Sequence, residues 1–408
     1  MSISRLLEEI DSLAAFSAAP APAVTRVVFS EEDSKARTWL KARFEEAGLR
    51  VRHDAIGNTF ARWEGSDPSR KPVATGSHID AIPNAGKYDG VIGVLGALDA
   101  FRSLRESGFS PKAPMEIVLF TSEEPTLFGI GCLGSRLLSG SLSPEAAATL
   151  RDRNGKSLDD WRHEAGFAGD LKDAALPIGH FAAFVELHIE QGPLLEREKL
   201  AIGIVEKIAA PAAWRVRLEG EGGHAGAVLM PGRRDALLGG AETALAVERL
   251  VNTLGSDDGV GTTGVFHVKP GAINSVPLEC VLEIDIRDTD HAARLAVEAA
   301  LKSEIQNIAT SRKLEVTVEV INSDPPAICD SGVISVIEAA SENLPHRRMI
   351  SRAYHDSLFL SRIAPTSMIF IPCRNGYSHR PDEYSKPEDI EKGVQVLART
   401  LAALAGTT

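Results

Sequence analysis

A chain of 408 residues with 44% hydrophobic and 25% charged residues has the composition of a soluble globular protein, and its length exceeds one ordinary core, so two or three domains are expected. Its net charge of −12 argues against nucleic acid or an anionic membrane as the main partner, since both demand concentrated Lys and Arg. No stretch approaches a membrane-spanning length, and Cys132, Cys280, Cys329 and Cys373 form no C-x-x-C pair, which speaks for reduced thiols in a cytoplasmic protein.

Residues 1–19 carry acidic side chains and no long apolar run, so they read as an amphipathic helix rather than a signal peptide. After Ala19-Pro20-Ala21-Pro22 the pattern predicts a helix over 31–48, strands over 49–53, 59–63 and 72–77, and an amphipathic helix over 89–108. Continuous apolar runs at 115–121 and 181–189 predict buried strands, with Gly192-Pro193 as a breaker after the second. Between them, residues 141–179 look like a helical surface excursion without chemistry of its own.

From 214 to 321 the expected order is strand, helix, strand, strand, helix, strand, the ferredoxin-like βαββαβ unit. Pro325-Pro326 marks the return, followed by helices at 332–344 and 357–363, a strand at 367–372 and a closing helix at 387–404. The expected fold is therefore α/β: a catalytic domain (1–210 and 324–408) with a mixed sheet flanked by helices, interrupted by a small domain at 211–323.

Four of the predicted strands run into residues that bind metals. Gly76-Ser77-His78-Ile79-Asp80 is followed by Tyr88-Asp89-Gly90, Thr121 by Ser122-Glu123-Glu124, Val185 by Glu186-Leu187-His188, and the last strand by Gly376-Tyr377-Ser378-His379. An isolated His-x-Asp is more often a hydrogen-bonded loop histidine, and an isolated Glu-Glu a solvated turn. In an open α/β sheet, however, such strand ends face one crevice. His78, Asp89, Glu124, His188 and His379 are too few for two closed structural sites and suit an open pair of divalent cations sharing one carboxylate. Asp80 is placed to orient His78, and Glu123 to act as the general base.

These five motifs resemble the ligand motifs of binuclear metal amidohydrolases related to aminoacylases and carboxypeptidase G. The resemblance spans nearly the whole chain and is strongest to the branch of N-carbamoyl-L-amino acid, β-ureidopropionate, allantoate and ureidoglycolate amidohydrolases. It implies one metal on His78, Asp89 and His188 and a second on Asp89, Glu124 and His379, two divalent ions (Zn or Mn) per subunit. It also implies that the inserted domain is a lid and dimerisation domain of a homodimer. There His224, in Gly222-Gly223-His224-Ala225-Gly226, would stabilise the oxyanion from the partner subunit, while Asn274 and Arg287 grip a substrate carboxylate.

Gln191 is a candidate contact to a ureido group. The run His224-Ala225-Gly226-Ala227-Val228-Leu229 and the stretch Tyr354-His355-Asp356 depart from the carbamoylase pattern toward the ureidoglycolate type. Tyr354 in place of a glycine would shrink the pocket to suit a small ureido acid, with His355 supporting the site as either a substrate contact or a structural hydrogen-bond partner. The expected activity is hydrolysis of the ureido C–N bond of (S)-ureidoglycolate, with allantoate or an N-carbamoyl-L-amino acid as alternative substrates and a non-catalytic binding scaffold as a remote one.

Overall fold

The computed structural model describes residues 3–406. In chain order the strands of its two large sheets are Arg50–His53 (β1), Thr59–Trp63 (β2), Val73–Ser77 (β3), Met115–Leu119 (β4), Ala183–Ile189 (β5), Ile202–Ile208 (β6), Ala210–Glu219 (β7), Val260–Lys269 (β8), Glu279–Asp288 (β9), Glu315–Ser323 (β10), Ala327–Ile328 (β11), His346–Ser351 (β12) and Thr366–Ile371 (β13). The longer helices are Ile3–Ala14 (α1), Glu31–Glu46 (α2), Val91–Glu106 (α3), Ala236–Leu254 (α4), His291–Arg312 (α5), Ser331–Ala340 (α6) and Pro387–Ala405 (α7). Of the N-terminal helix expected over 1–19, α1 is the helical part, and positions 1 and 2 lie outside the described residues.

The chain divides into two compact units. One holds the residues up to Glu206, Ile328–Ser351 and those from His355 on; the other holds Lys207–Ala327 with Arg352–Tyr354.

The first unit is built on a nine-stranded sheet in the order β11-β6-β13-β5-β3-β4-β2-β1, with β12 paired to β6. Its four central strands, β13, β5, β3 and β4, run parallel, while β6 and β2 pair antiparallel on either side, which makes the sheet mixed. Every residue of those four strands is buried, as expected of parallel strands covered on both faces. Helices α3 and α7 pack on each other and on the strands. A separate apolar layer of Phe60, Val118, Phe120, Phe184 and Leu360 joins the sheet to the segments after Cys132 and His355. Parallel alignment brings the carboxyl ends of the four central strands to one edge, and the chemistry gathers there.

The 141–179 segment is more than a surface excursion. Leu158, Leu171 and Ala174 are buried with Val28, Ile56 and Leu133 in a core of their own, because the amphipathic short helices here need an apolar partner. Sequence patterning also passes over β6, whose run Ile202-Gly203-Ile204-Val205 follows the Gly192-Pro193 breaker too closely to stand apart as a strand.

Gly76, next to the last residue of β3, has φ +152°, and a Cβ there would drive into the carbonyl of Val118 on the neighbouring strand β4. Gly76→Ala is expected to destabilise the fold by about 2–5 kcal/mol, combining backbone strain with overpacking. Reversible urea denaturation checks this, and a loss below about 1 kcal/mol would mean that β3 and β4 separate more easily than their packing implies.

The second unit is the expected βαββαβ arrangement, an antiparallel four-stranded sheet in the order β8-β9-β7-β10. Alternation along β7 sends Trp214, Val216 and Leu218 into the core with α4 and α5, and Arg215 and Arg217 outward to Glu283, Glu319 and Glu279. Asp235 and Asp290 cap the two helices. The fully buried Arg294 of α5 donates to the carbonyls of Ala210 and Asp324, tying the start of β7 and the residue that follows β10 to one guanidinium.

Candidate active site

His78 directly follows β3, and its Nδ1 donates to the carbonyl of Asp80 at 3.0 Å. His188 lies near the end of β5, its Nδ1 donating to the carbonyl of Ile189 at 2.9 Å. In each ring a backbone acceptor claims the Nδ1 proton and fixes the tautomer, so Nε2 presents its lone pair toward the crevice. The Gly90 N–H donating to His188 Nε2 at 3.1 Å is consistent with that tautomer.

Asp89 sits just before α3, whose N-terminal backbone dipoles favour a negative charge. Its two carboxylate oxygens face different partners. Oδ1 lies 3.1 Å from His188 Nε2 and 3.8 Å from His78 Nε2, while Oδ2 lies 3.4 Å from His379 Nε2. His379 Nε2 is in turn 3.3 Å from Glu124 Oε1. The donor atoms thus form two triads, His78–Asp89–His188 and Asp89–Glu124–His379, each with its atoms within 4.8 Å of one another and both using Asp89.

His379 departs from the strand-end expectation. It stands beyond a 3₁₀ turn (Arg374–Gly376) on a loop, with φ +59°, and its side chain is 46% exposed, in contrast to the buried His78 and His188. A loop position lets its imidazole approach Asp89 Oδ2 from the side that the strands leave free. Asp80 also differs in detail. Its carbonyl rather than its carboxylate makes the close contact to His78, the carboxylate being 3.6 Å from Nδ1. The Asp80 carboxylate accepts instead from the backbone N–H groups of Glu123 (3.3 Å) and Glu124 (3.0 Å), and so sets where those two side chains start.

Glu123 is buried, with Oε2 3.6 Å from His78 Nε2 and Oε1 3.5 Å from the thiol of Cys132. Burial pushes its pKa well up, His78 opposes this, and the charges of Glu124, Asp356 and Asp80 add to the rise. Burial likewise raises Glu124. Burial works against the charge of Asp89 too, but its contacts with the imidazoles of His188 and His379 outweigh it and hold that carboxyl well below its usual range. The same acids push His379 up to about 11, and Glu123 leads those that raise His78 against its burial. The pocket therefore carries more acid than its histidines balance unless they are protonated. Two divalent cations fit this donor set: they would supply the missing positive charge, and their uptake would release the imidazole protons.

Gln191, expected to meet a ureido group, donates from Nε2 to Asp89 Oδ2 at 2.7 Å and to Ser378 Oγ at 3.3 Å, while its Oε1 is buried without a hydrogen-bond partner. His355 is buried, edge-on to the His188 ring at 4.5 Å between centroids, with Nε2 3.1 Å from Ser351 Oγ. It packs on the back of a metal-type histidine, which suits support rather than substrate contact.

The other expected residues belong to the second unit. His224 and Asn274 are exposed on neighbouring short strands, Gly223–His224 and Ser275–Val276 pairing and the Ala225 N–H donating to Asn274 O at 2.9 Å. Arg287 on β9 donates to Asp285 and to the Arg352 carbonyl. Burial opposes its charge, but Asp285 and then Tyr354 outweigh it and raise its pKa.

Sequence reasoning passes over several residues around the site. Glu186, fully buried in β5, accepts from Ser77 Oγ at 2.7 Å and Ser357 Oγ at 2.6 Å. Ser378 donates to Asp89 Oδ2, and Glu383 accepts from the backbone of Tyr88 and Asp89. An acid in the middle of an otherwise apolar strand is the signal that would have found Glu186, since an unpaired buried charge is costly.

Comparison with known proteins places this geometry. The chain matches the model of peptidase family M20/M25/M40 over residues 74–403. The chain is 54% identical to a ureidoglycolate hydrolase of Arabidopsis thaliana, over 98% of this chain and 86% of that one. It is 36% identical to an N-carbamoyl-L-amino-acid amidohydrolase of Paenarthrobacter aurescens, over 98% and 97%. Crystal structures of AtUAH in complex with glyoxylate and with (S)-hydroxyglycine superpose with a TM-score of 0.90 at 52% identity, covering 99% of this chain and 98% of theirs. With donor triads at the carboxyl edge of a mixed sheet and a match along nearly its whole length, the chain belongs to peptidase family M20/M25/M40, as a hydrolase of amide bonds.

Proposed function

We propose that this protein hydrolyses the ureido C–N bond of (S)-ureidoglycolate, using two divalent cations, Zn or Mn, in each subunit of a cytoplasmic homodimer. The observation that carries this reading is Asp89 offering one carboxylate oxygen to each of two donor triads, in a chain 54% identical to a ureidoglycolate hydrolase. Identity to the carbamoylase relative is lower by 18 percentage points (54 − 36) over the same share of this chain, which favours the ureidoglycolate reading over an N-carbamoyl amino acid.

When bound, the two cations lower the pKa of water and polarise the ureido carbonyl. Glu123 takes a proton from the attacking water, whose oxygen bonds to the ureido carbon. It then returns the proton to the terminal nitrogen as that C–N bond breaks, releasing ammonia. The carbamate left behind loses carbon dioxide to give hydroxyglycine, which breaks down to glyoxylate and a second ammonia. The unpartnered Oε1 of Gln191 is a ready acceptor for a ureido N–H. Arg287 offers the planar fork suited to the substrate carboxylate, while His224 and the neighbouring Asn274 reach in together from the partner subunit, His224 to steady the oxyanion and Asn274 to donate to the carboxylate. Tyr354 restricts the pocket to a small acid. The buried, free state of all four cysteines fits a reducing compartment.

A substrate panel tests the assignment. Ammonia release from (S)-ureidoglycolate is expected to exceed that from allantoate and from N-carbamoyl amino acids by about 10²-fold or more in kcat/KM, since a site built around a small hydroxy acid leaves polar groups unpaired with the others. A preference for an N-carbamoyl amino acid would overturn it.

A further inference from the structure

Glu383 lies on the loop that carries His379, and this loop is closed at its base by the Arg374 N–H donating to the Tyr384 carbonyl at 2.8 Å. From there its carboxylate crosses to the segment before α3. One oxygen, Oε1, accepts from the backbone N–H of Tyr88 at 2.8 Å and of Asp89 at 3.1 Å. The side chain is buried, and Oε2 has no hydrogen-bond partner, so these two bonds are its anchorage. The packing is close enough that a Cβ on Gly86 would collide with the Glu383 carboxyl group. Asp89 and His379 thus come from segments far apart in sequence, and Glu383 bonds the backbone of one to the loop of the other.

We propose that Glu383 is a positioning residue for the binuclear site, its Oε1 holding the Asp89 backbone so that the two carboxylate oxygens point to separate triads. The inference rests on reading Asp89 as the shared ligand. Physically, a carboxylate can bridge two ions only if its plane is held between them, and the Asp89 side chain has one Cα–Cβ torsion and one terminal torsion free to turn. Fixing its amide against the His379 loop sets the backbone position from which those torsions start, for both triads at once. A charge effect alone would act without these bonds, which separates the two explanations.

The test is Mn²⁺ titrated into the metal-free full-length chain, with free Mn²⁺ read from its six-line EPR signal. Wild-type protein is expected to bind two ions per chain. Glu383→Ala is expected to weaken the more loosely held ion about 10–100-fold, the loss usual for an outer partner of a ligand. Glu383→Gln keeps an oxygen for both N–H groups and is expected to stay within about threefold of wild type, while Glu383→Asp keeps the charge but is too short to reach and should resemble Ala. Wild-type affinity in Glu383→Ala, or equal weakening in Glu383→Gln, would overturn the positioning role while leaving the binuclear site standing. Fewer than two ions in the wild type would instead overturn the shared-ligand reading itself. Should Glu383→Ala not fold, Glu383→Asp against Glu383→Gln decides the matter.

Discussion

Glu123→Gln is expected to lower kcat about 10²–10⁴-fold while leaving KM and bound metal within about twofold of the parent. The substitution is isosteric and removes only the capacity to accept and return a proton. Glu123 contributes to neither donor triad, and its backbone is fixed by Asp80 whichever side chain it carries. The Cys132 thiol can still meet a carbonyl oxygen at the Oε1 position. A residue that shaped the site through packing or charge balance would instead change metal content or stability together with rate. Steady-state kinetics with metal analysis of the same preparation separates these cases. A kcat within tenfold of the parent would mean that another group carries the proton.

The second large effect is expected at Asp89. Because one side chain serves both triads, Asp89→Ala should empty both, with activity falling to background and metal content below one ion per chain. Loss of a direct ligand shared by two ions exceeds the about 10–100-fold typical of an outer partner. Asp89→Asn is the more discriminating variant. It keeps one carbonyl oxygen, so one triad should hold its ion weakly and the other lose it. Retention of two tightly held ions in Asp89→Asn would show that the triads are independent.

The residues that gather at the site were legible because each follows a stretch with a clear pattern. Strands β4 and β5 are largely apolar runs and β3 is a short β-prone run ending in small residues, and a histidine or paired acid at the end of such a run stands out. The two triads together comprise residues 78, 89, 124, 188 and 379, the set the motifs single out. The βαββαβ order of the second unit was equally plain, since alternation along β7 and β9 and the aspartate caps of α4 and α5 are local signals.

What the sequence hides depends on neighbours brought in by the fold. Glu186 reads as a strand residue until Ser77 and Ser357 arrive to donate to it. Glu383, in Pro381-Asp382-Glu383-Tyr384, reads as a solvated loop acid, and only folding sets it against the amides of Tyr88 and Asp89. Cys132 shows no sign in the sequence that its thiol will meet Glu123. The loop course of His379 was hidden for the same reason, since a motif gives the residue and not the path the chain takes to present it.

The central claim concerns Asp89, and anomalous diffraction from crystals of the Mn²⁺-loaded protein tests it most directly. Two anomalous peaks are expected about 3.5–4 Å apart, one bounded by His78 and His188, the other by Glu124 and His379, with Asp89 between them. A single peak, or two peaks that share no ligand, would contradict the account.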